Sequence, residues 1–491
     1  MLLISQKSWN SNDVAGLGGQ LDVFVASAER YEVGEPIKPV VLLPIAETGV
    51  APPDRQALLL EIGNLVAERA LYVAGAALVK DKTEKAPFIV GFLIGPDGQI
   101  LLNVRKHSPE LINGLAVDQT CALASPAEMQ SAMTPIGQIG ILPGEDILFP
   151  HLARALVWKG AELILNPAAE VSDERFTSRQ NARVARAFEN CAYIATASAL
   201  NSGDGKTQLN RPAASGFADW SGQKLVNRSS EDILKVDVYI DQLRRKRTAI
   251  FSVQALHLRA NLYAEGYRKM IAAEPKPSAA PTNRAEWAKE AQRRVAKIKA
   301  SAGTGKETEY DVLLVQSVKK MIQKTSDVGA MITENIQRAL ELPARTASNP
   351  NVRLVALSEF FMTGQGGHGY RSPITLQRLA IRYPGPEMEL LSEFALKHKT
   401  YVAGSTFEID DKLPGYVFNS AFILNDSGDL IHRYRKIQCA DVWGSLPDTT
   451  PGTIYKKYLD TYGYDFLFPV CDTPLGKLGT MVCFDQAHPE I

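Results

Sequence analysis

The sequence predicts a mixed α/β protein made of two tandem copies of one layered unit. Three observations predict it. One long passage occurs twice at nearly constant spacing. Short apolar runs alternate with stretches of helical periodicity within each copy. A Pro/Ala-rich segment, Glu274-Pro-Lys-Pro-Ser-Ala-Ala-Pro281, lies between the copies and has the composition of a linker.

The repeat is plainest near the end of each copy. Thr134-Pro-Ile-Gly137-Gln-Ile-Gly140-Ile-Leu-Pro-Gly144-Glu-Asp146 aligns without a gap on Thr473-Pro-Leu-Gly476-Lys-Leu-Gly479-Thr-Met-Val-Cys483-Phe-Asp485. Upstream, Phe88 to Lys106 matches Phe418 to Lys436, and Tyr72-Val-Ala-Gly75 matches Tyr401-Val-Ala-Gly404. Units this long are duplicated domains, since solenoid repeats run to about 20–50 residues.

In the second copy, Leu313–Gln316 reads as a short buried strand. Asp327–Leu342 reads as a helix, with Val328, Met331, Ile332, Ile336 and Leu340 at helical spacing. Val352–Leu357 and Thr400–Phe407 read as strands, and Glu387–Lys397 as a helix. Phe418–Leu424 and Gly428–Tyr434 flank the turn Asn425-Asp-Ser-Gly428, a hairpin signal. The first copy continues past Gly144 with helix Pro150–Lys159, strand Ala161–Asn166, helix Ser178–Cys191 and strand Tyr193–Leu200.

Composition narrows the function. Hydrophobic content is 45%, and Lys+Arg and Asp+Glu number 54 each, so net charge suggests neither nucleic acid nor an anionic membrane as partner. No apolar run has the length of a membrane helix, and MLLISQKSWN does not read as a signal peptide. The five cysteines are odd in number, scattered and without a CxxC pair. Disulfide frameworks and zinc sites are therefore not expected, and a reducing cytoplasm is. Cys121, Cys191, Cys439 and Cys471 read as structural. His368 and His432 read as surface or loop residues.

The second copy offers Glu359, Lys436 and Cys483, each at the end of an expected strand, where layered α/β folds gather catalytic groups. The trio suffices for acyl transfer. Glu359 could take the thiol proton, and the Lys436 ammonium with the backbone N–H of Phe484 could neutralise an oxyanion. The proximity of Lys436 also suggests a thiol enriched in its thiolate. No cofactor or metal is required.

These motifs resemble the carbon–nitrogen hydrolase family, the nitrilase superfamily. They are Leu-Ser-Glu359-Phe-Phe-Met-Thr-Gly364, Tyr434-Arg-Lys436 and Gly479-Thr-Met-Val-Cys483-Phe-Asp485. The resemblance implies an αββα sandwich in each copy, commonly paired into dimers and larger assemblies. It implies hydrolysis of a small amide, N-carbamoyl compound or nitrile, with the amide classes favoured by Cys-Phe-Asp. Asp441 is the nearest candidate for a second acidic group after the lysine, and Trp443 and Phe484 could line the pocket. The first copy departs from the pattern, with Gly144 at the cysteine position and Ile45 at the glutamate position; only Lys106 remains. The expected domains are 1–262 (degenerate), 263–307 (linker with a charged helix) and 308–491 (catalytic). The second copy lacks counterparts of the first copy's segments after Gly144, so it is expected to be incomplete, prone to self-association and poorly active. An inert assembly module is the alternative of another class.

Overall fold

The computed structural model describes residues 1–29, 38–47, 51–83, 87–108, 129–199, 211–212, 215–226, 232–248, 258–273, 284–300, 309–322, 327–346, 349–364, 372–439 and 448–491. The chain divides into two compact units, one of Met1–Ala255 with Pro277–Arg294 and one of Leu256–Lys276 with Val295–Ile491.

In the first unit the strands are β1 (Leu2–Ser5), β2 (Val40–Ile45), β3 (Tyr72–Val79), β4 (Phe88–Ile94), β5 (Ile100–Arg105), β6 (Ser131–Thr134) and β7 (Gly137–Ile141). They continue with β8 (Leu163–Pro167), β9 (Val171–Ser172), β10 (Tyr193–Ala197), β11 (Arg211–Pro212), β12 (Gly216–Ala218), β13 (Lys224–Val226) and β14 (Ile233–Val236). Two six-stranded sheets form, in the orders β14-β1-β2-β3-β4-β5 and β13-β12-β10-β8-β7-β6. Their facing sides make one core, with Leu2, Ile4, Val40 and Leu42 of one sheet clustered with Ile139, Ile141, Leu163 and Leu165 of the other. Strand alternation sends Leu3, Val41 and Val73 to the opposite face, where they pack with Leu17, Leu59 and Ile62 of helices Val14–Glu29 and Arg55–Arg69. The second helix begins at Asp54, whose carboxylate accepts the Ala57 N–H at 3.0 Å, and ends at Ala70 in the left-handed region. Helices Pro150–Trp158 and Phe176–Asn190 cover the outer face of the other sheet through Leu152, Leu156 and Ala187. The result is helix, sheet, sheet, helix, the αββα sandwich expected.

The second unit repeats the first of these sheets and is smaller. Strands β15 (Asp311–Val315), β16 (Val352–Glu359), β17 (Tyr401–Ile409), β18 (Val417–Leu424) and β19 (Leu430–Arg435) pair in that order. The β18–β19 hairpin turns where expected. Asn425 Oδ1 accepts N–H groups of Ser427 and Asp429, and Gly428 supplies φ +84°. Helices Val328–Thr346 and Glu389–His398 cover one face through Ile332, Ile336, Ala339, Leu391 and Ala395. On the other face a short hairpin, β20 (Cys471–Thr473) with β21 (Gly476–Leu478), places Leu475 in a small cluster with Tyr401 and Ile423.

The linker boundary differs from the expectation. Leu256–Lys276 groups with the second unit, where the expectation gave 256–262 to the first domain and 263–276 to the linker, and Pro277–Arg294 groups with the first unit. Helix Ala260–Ala273 buries Leu262 and Tyr263 in a cluster with Phe418, Tyr434, Ile437 and Val482. Its apolar side chains give it a reason to dock.

Strand register makes the two units comparable residue by residue. Leu2, Val40 and Tyr72 lie side by side in the first unit, as Val312, Leu354 and Tyr401 do in the second. Beyond a shared irregularity, Ile45 opposes Ala76 and Glu359 opposes Ser405. Ile45 therefore occupies the place of Glu359, and Glu47 does not.

Candidate active site

Glu359 is the last residue of β16, and Lys436 directly follows β19. The Lys436 Nζ lies 3.2 Å from Glu359 Oε1, with the lysine side chain 7% exposed and the glutamate 19%. A second donor reaches the same oxygen: the Asn419 Nδ2 at 2.7 Å. From outside the trio, Lys319 Nζ donates to the Glu359 backbone carbonyl at 2.6 Å. Burial lowers the pKa of that lysine, and the Glu359 charge opposes the shift.

Cys483 opens a short helical turn, Cys483–Ala487, with φ +51°. A non-glycine residue in the left-handed region is strained and persists only where its surroundings hold it. Phe360, next to Glu359, is also left-handed at φ +54°. The strand expected before Cys483 stops at Leu478, and residues 479–482 form no ladder. In the first unit β7 runs on to Ile141 because β8 pairs with it in parallel; β21 pairs only with β20.

Although the Cys483 residue is exposed, partial desolvation of its sulfur is the largest cause that pushes the thiol above its ordinary range. The Lys436 ammonium pulls it down, while the Glu359 carboxylate pushes it up again by charge and by hydrogen bonding with the thiol. The expectation of a thiolate-rich cysteine is thus corrected. Desolvation and the carboxylate outweigh the lysine, so the resting group is a thiol facing a carboxylate. The backbone N–H of Phe484 interacts with the same sulfur.

Asp485 fastens the turn to the lysine segment. Its Oδ1 accepts the N–H of Ile437 at 3.2 Å and of Gln438 at 2.8 Å; its Oδ2 accepts the Val482 N–H at 2.9 Å and the Tyr434 hydroxyl at 2.7 Å. Burial raises its pKa, and these donors oppose the rise. Asn419 and Asp485 were not singled out in the sequence. Asn419 was detectable, because the repeat sets it against Ile89. Asp485 is shared with Asp146, and only its buried bonds reveal its work.

His432 is another correction. It is 4% exposed on β19, with Nε2 2.9 Å from Thr480 Oγ1, three residues before the cysteine. Burial lowers its pKa to about 4, so the ring is neutral near pH 7. Its position on the buried register of β19, shared with Tyr434, decides that rather than its residue type. Asp441, Trp443, His368 and Cys121 lie outside the described residues. Cys191, Cys439, Cys471 and Cys483 are free thiols. Among the described residues no cluster of His, Cys, Asp or Glu could hold a metal ion, and no helix is long and apolar enough to cross a membrane.

The matching place in the first unit keeps the backbone and loses the chemistry. Gly144 has φ +55°, close to that of Cys483. A Cβ built on it would stand 3.0 Å from Lys106 Cε and 3.7 Å from Ile45 Cδ1. The lysine is spoken for: its Nζ lies 3.0 Å from Glu145 Oε2 and donates to the Ser108 carbonyl at 2.7 Å. Ile45 and Ile89 stand where the second unit has Glu359 and Asn419, and they cluster with Ala76 and Leu78.

The family model described as "Carbon-nitrogen hydrolase" matches residues 40–244 and 321–491. The omega-amidase NIT3 of Saccharomyces cerevisiae is 26% identical over 180 residues, which are 36% of this chain and 59% of that protein. Nitrilase homolog 2 of Dictyostelium discoideum is 28% identical over 158 residues, 32% of this chain and 44% of that protein. The chain spans about half the length of the curated relatives it matches. Among solved structures, Saccharomyces cerevisiae Nit3 aligns with TM-score 0.41 and 17% identity, covering 51% of this chain and 93% of that one. The two matched segments lie in the two units and together make up most of the sequence, and the chain belongs to the carbon–nitrogen hydrolase family.

Proposed function

We propose that the second unit hydrolyses a non-peptide carbon–nitrogen bond in a small amide or N-carbamoyl compound. The observation that carries this reading is the meeting of Glu359, Lys436 and the strained Cys483 turn. The Glu359 carboxylate takes the thiol proton as Sγ attacks the substrate carbonyl carbon. The raised thiol pKa supports this order, since a protonated thiol needs a base at the moment of attack. Charge developing on the carbonyl oxygen is met by the Lys436 ammonium and the Phe484 N–H. The proton held by Glu359 passes to the departing ammonia or amine, leaving a thioester on Cys483. Water, giving its proton to the same carboxylate, attacks the thioester and releases the acid and the thiol. None of these steps calls on the first unit, where Gly144 offers no nucleophile.

The same trio suits a nitrile, and some relatives carry nitrilase names. The Cys-Phe-Asp motif and the relatives named omega-amidase favour the amide. The test is ammonia release from panels of small amides, N-carbamoyl compounds and nitriles by wild type and Cys483→Ala. Release from the amide or N-carbamoyl panel that disappears in the variant is the expected result. Release that survives Cys483→Ala, or no release from any panel, overturns the reading.

A further inference from the structure

One residue reaches both charged members of the trio. Asn419 lies on β18, is 2% exposed, and sits between β17 and β19. Its backbone carbonyl accepts the Lys436 N–H at 2.8 Å, and its own N–H is bound to the Thr449 carbonyl at 2.9 Å. Its side-chain Nδ2 donates to Glu359 Oε1 at 2.7 Å, shorter than the contact of Lys436 Nζ with that same oxygen. Its Oδ1 is buried with no hydrogen-bond partner. A buried amide left half-satisfied costs free energy, so its retention calls for a reason. The first unit shows the position without that demand. Ile89 replaces it, its carbonyl still accepts the Lys106 N–H at 2.9 Å, and Ile45 stands where the carboxylate would be. The backbone task therefore needs no asparagine, and the side chain serves the carboxylate alone.

We propose that Asn419 is a positioning residue for the reaction: its amide clamps Oε1 of Glu359, holding the carboxylate against the Cys483 thiol and leaving Oε2 to carry the proton. This rests on the assignment of Glu359 as the base. Without the clamp the carboxylate loses its shorter bond at Oε1 and can swing toward Lys436 and away from sulfur. Displacing a reacting group by about 1 Å costs rate on the order of a hundredfold.

The test follows the pH dependence of Cys483 alkylation by iodoacetamide, read by mass spectrometry on the full chain. Four proteins are compared: wild type, Glu359→Gln, Asn419→Leu and Asn419→Ser. Removing the carboxylate charge in Glu359→Gln moves the alkylation midpoint to lower pH. Asparagine is uncharged, so its loss moves the midpoint only if the carboxylate itself moves. Asn419→Leu is expected to shift the midpoint the same way, by at least half the Glu359→Gln shift. Asn419→Ser keeps a polar group but not the reach; it should behave alike and covers the case in which leucine disturbs folding. On an amide substrate kcat should fall about 10- to 100-fold with KM little changed. A midpoint that shifts in Glu359→Gln and stays put in both Asn419 variants overturns the clamp and leaves the base in place. A midpoint unmoved in Glu359→Gln overturns the base assignment, and the clamp with it.

Discussion

The two units carry the same strands in the same register, yet they spend their equivalent positions differently. Ile4 and Leu2 are fully buried between two sheets, whereas their counterparts Leu314 and Val312 are 77% and 46% exposed. At the site, Ile45, Ile89 and Gly144 replace Glu359, Asn419 and Cys483, and Leu102 replaces His432. The first unit has an enclosed core and a corner where Lys106 pairs with Glu145 and no thiol stands. The second has the thiol, a carboxylate against its lysine, and a barer sheet. The comparison teaches that the left-handed turn is not itself the mark of chemistry. Gly144 holds it without strain, and only where cysteine occupies it does the backbone bear a cost.

The largest expected effect tests the two sheet faces. Ile4→Asp places a charge in a closed apolar core and should cost about 4 kcal/mol or more. Leu314→Asp should stay within about 0.5 kcal/mol, as an exposed substitution does. Calorimetric unfolding of the two variants measures both. Similar losses would show that Leu314 is covered in solution and would break the contrast.

The two lysines sharpen the comparison at the site. Lys436→Ala should lower the turnover rate by roughly 10²-fold or more, as loss of an oxyanion donor does. Lys106→Ala should leave turnover near wild type but destabilise the first unit by about 3–5 kcal/mol, since Glu145 would be left buried and unpaired. Steady-state rates and melting curves on both variants separate the roles. A collapse of turnover in a folded Lys106→Ala protein would place the first unit in the reaction.

The smallest effect concerns pH. His432 titrates at about 4 when folded, below its ordinary value near 6.5, because burial disfavours the charged ring. Between these values the unfolded chain binds more protons, so stability falls as pH drops from about 6.5 toward about 4. The loss is at most about 3 kcal/mol. His432→Leu, which copies Leu102, should flatten that part of the stability–pH curve. An equally steep curve in the variant would assign the acid sensitivity elsewhere.

The sequence by itself determined the duplication and the order of strands and helices, and it singled out Glu359, Lys436 and Cys483 as the candidates that the proposed reaction uses. These are written in apolar periodicity and in a repeat whose spacing barely drifts, so reading them needs no contact between distant residues. It also set Gly144 and Ile45 against Cys483 and Glu359, and neither residue has the functional group of its counterpart whatever its surroundings. Only the tertiary structure decided the rest. The docking of helix Ala260–Ala273 on the second unit depends on which apolar faces meet. The thiol's resting state sets desolvation and the Glu359 carboxylate against the Lys436 ammonium, and composition cannot weigh them. The placement of Asn419 against Glu359, and of Asp485 beneath the lysine segment, arises from strands and turns far apart in the chain. A hydrogen bond over such a separation is fixed by register and packing, and no local pattern of residues encodes it.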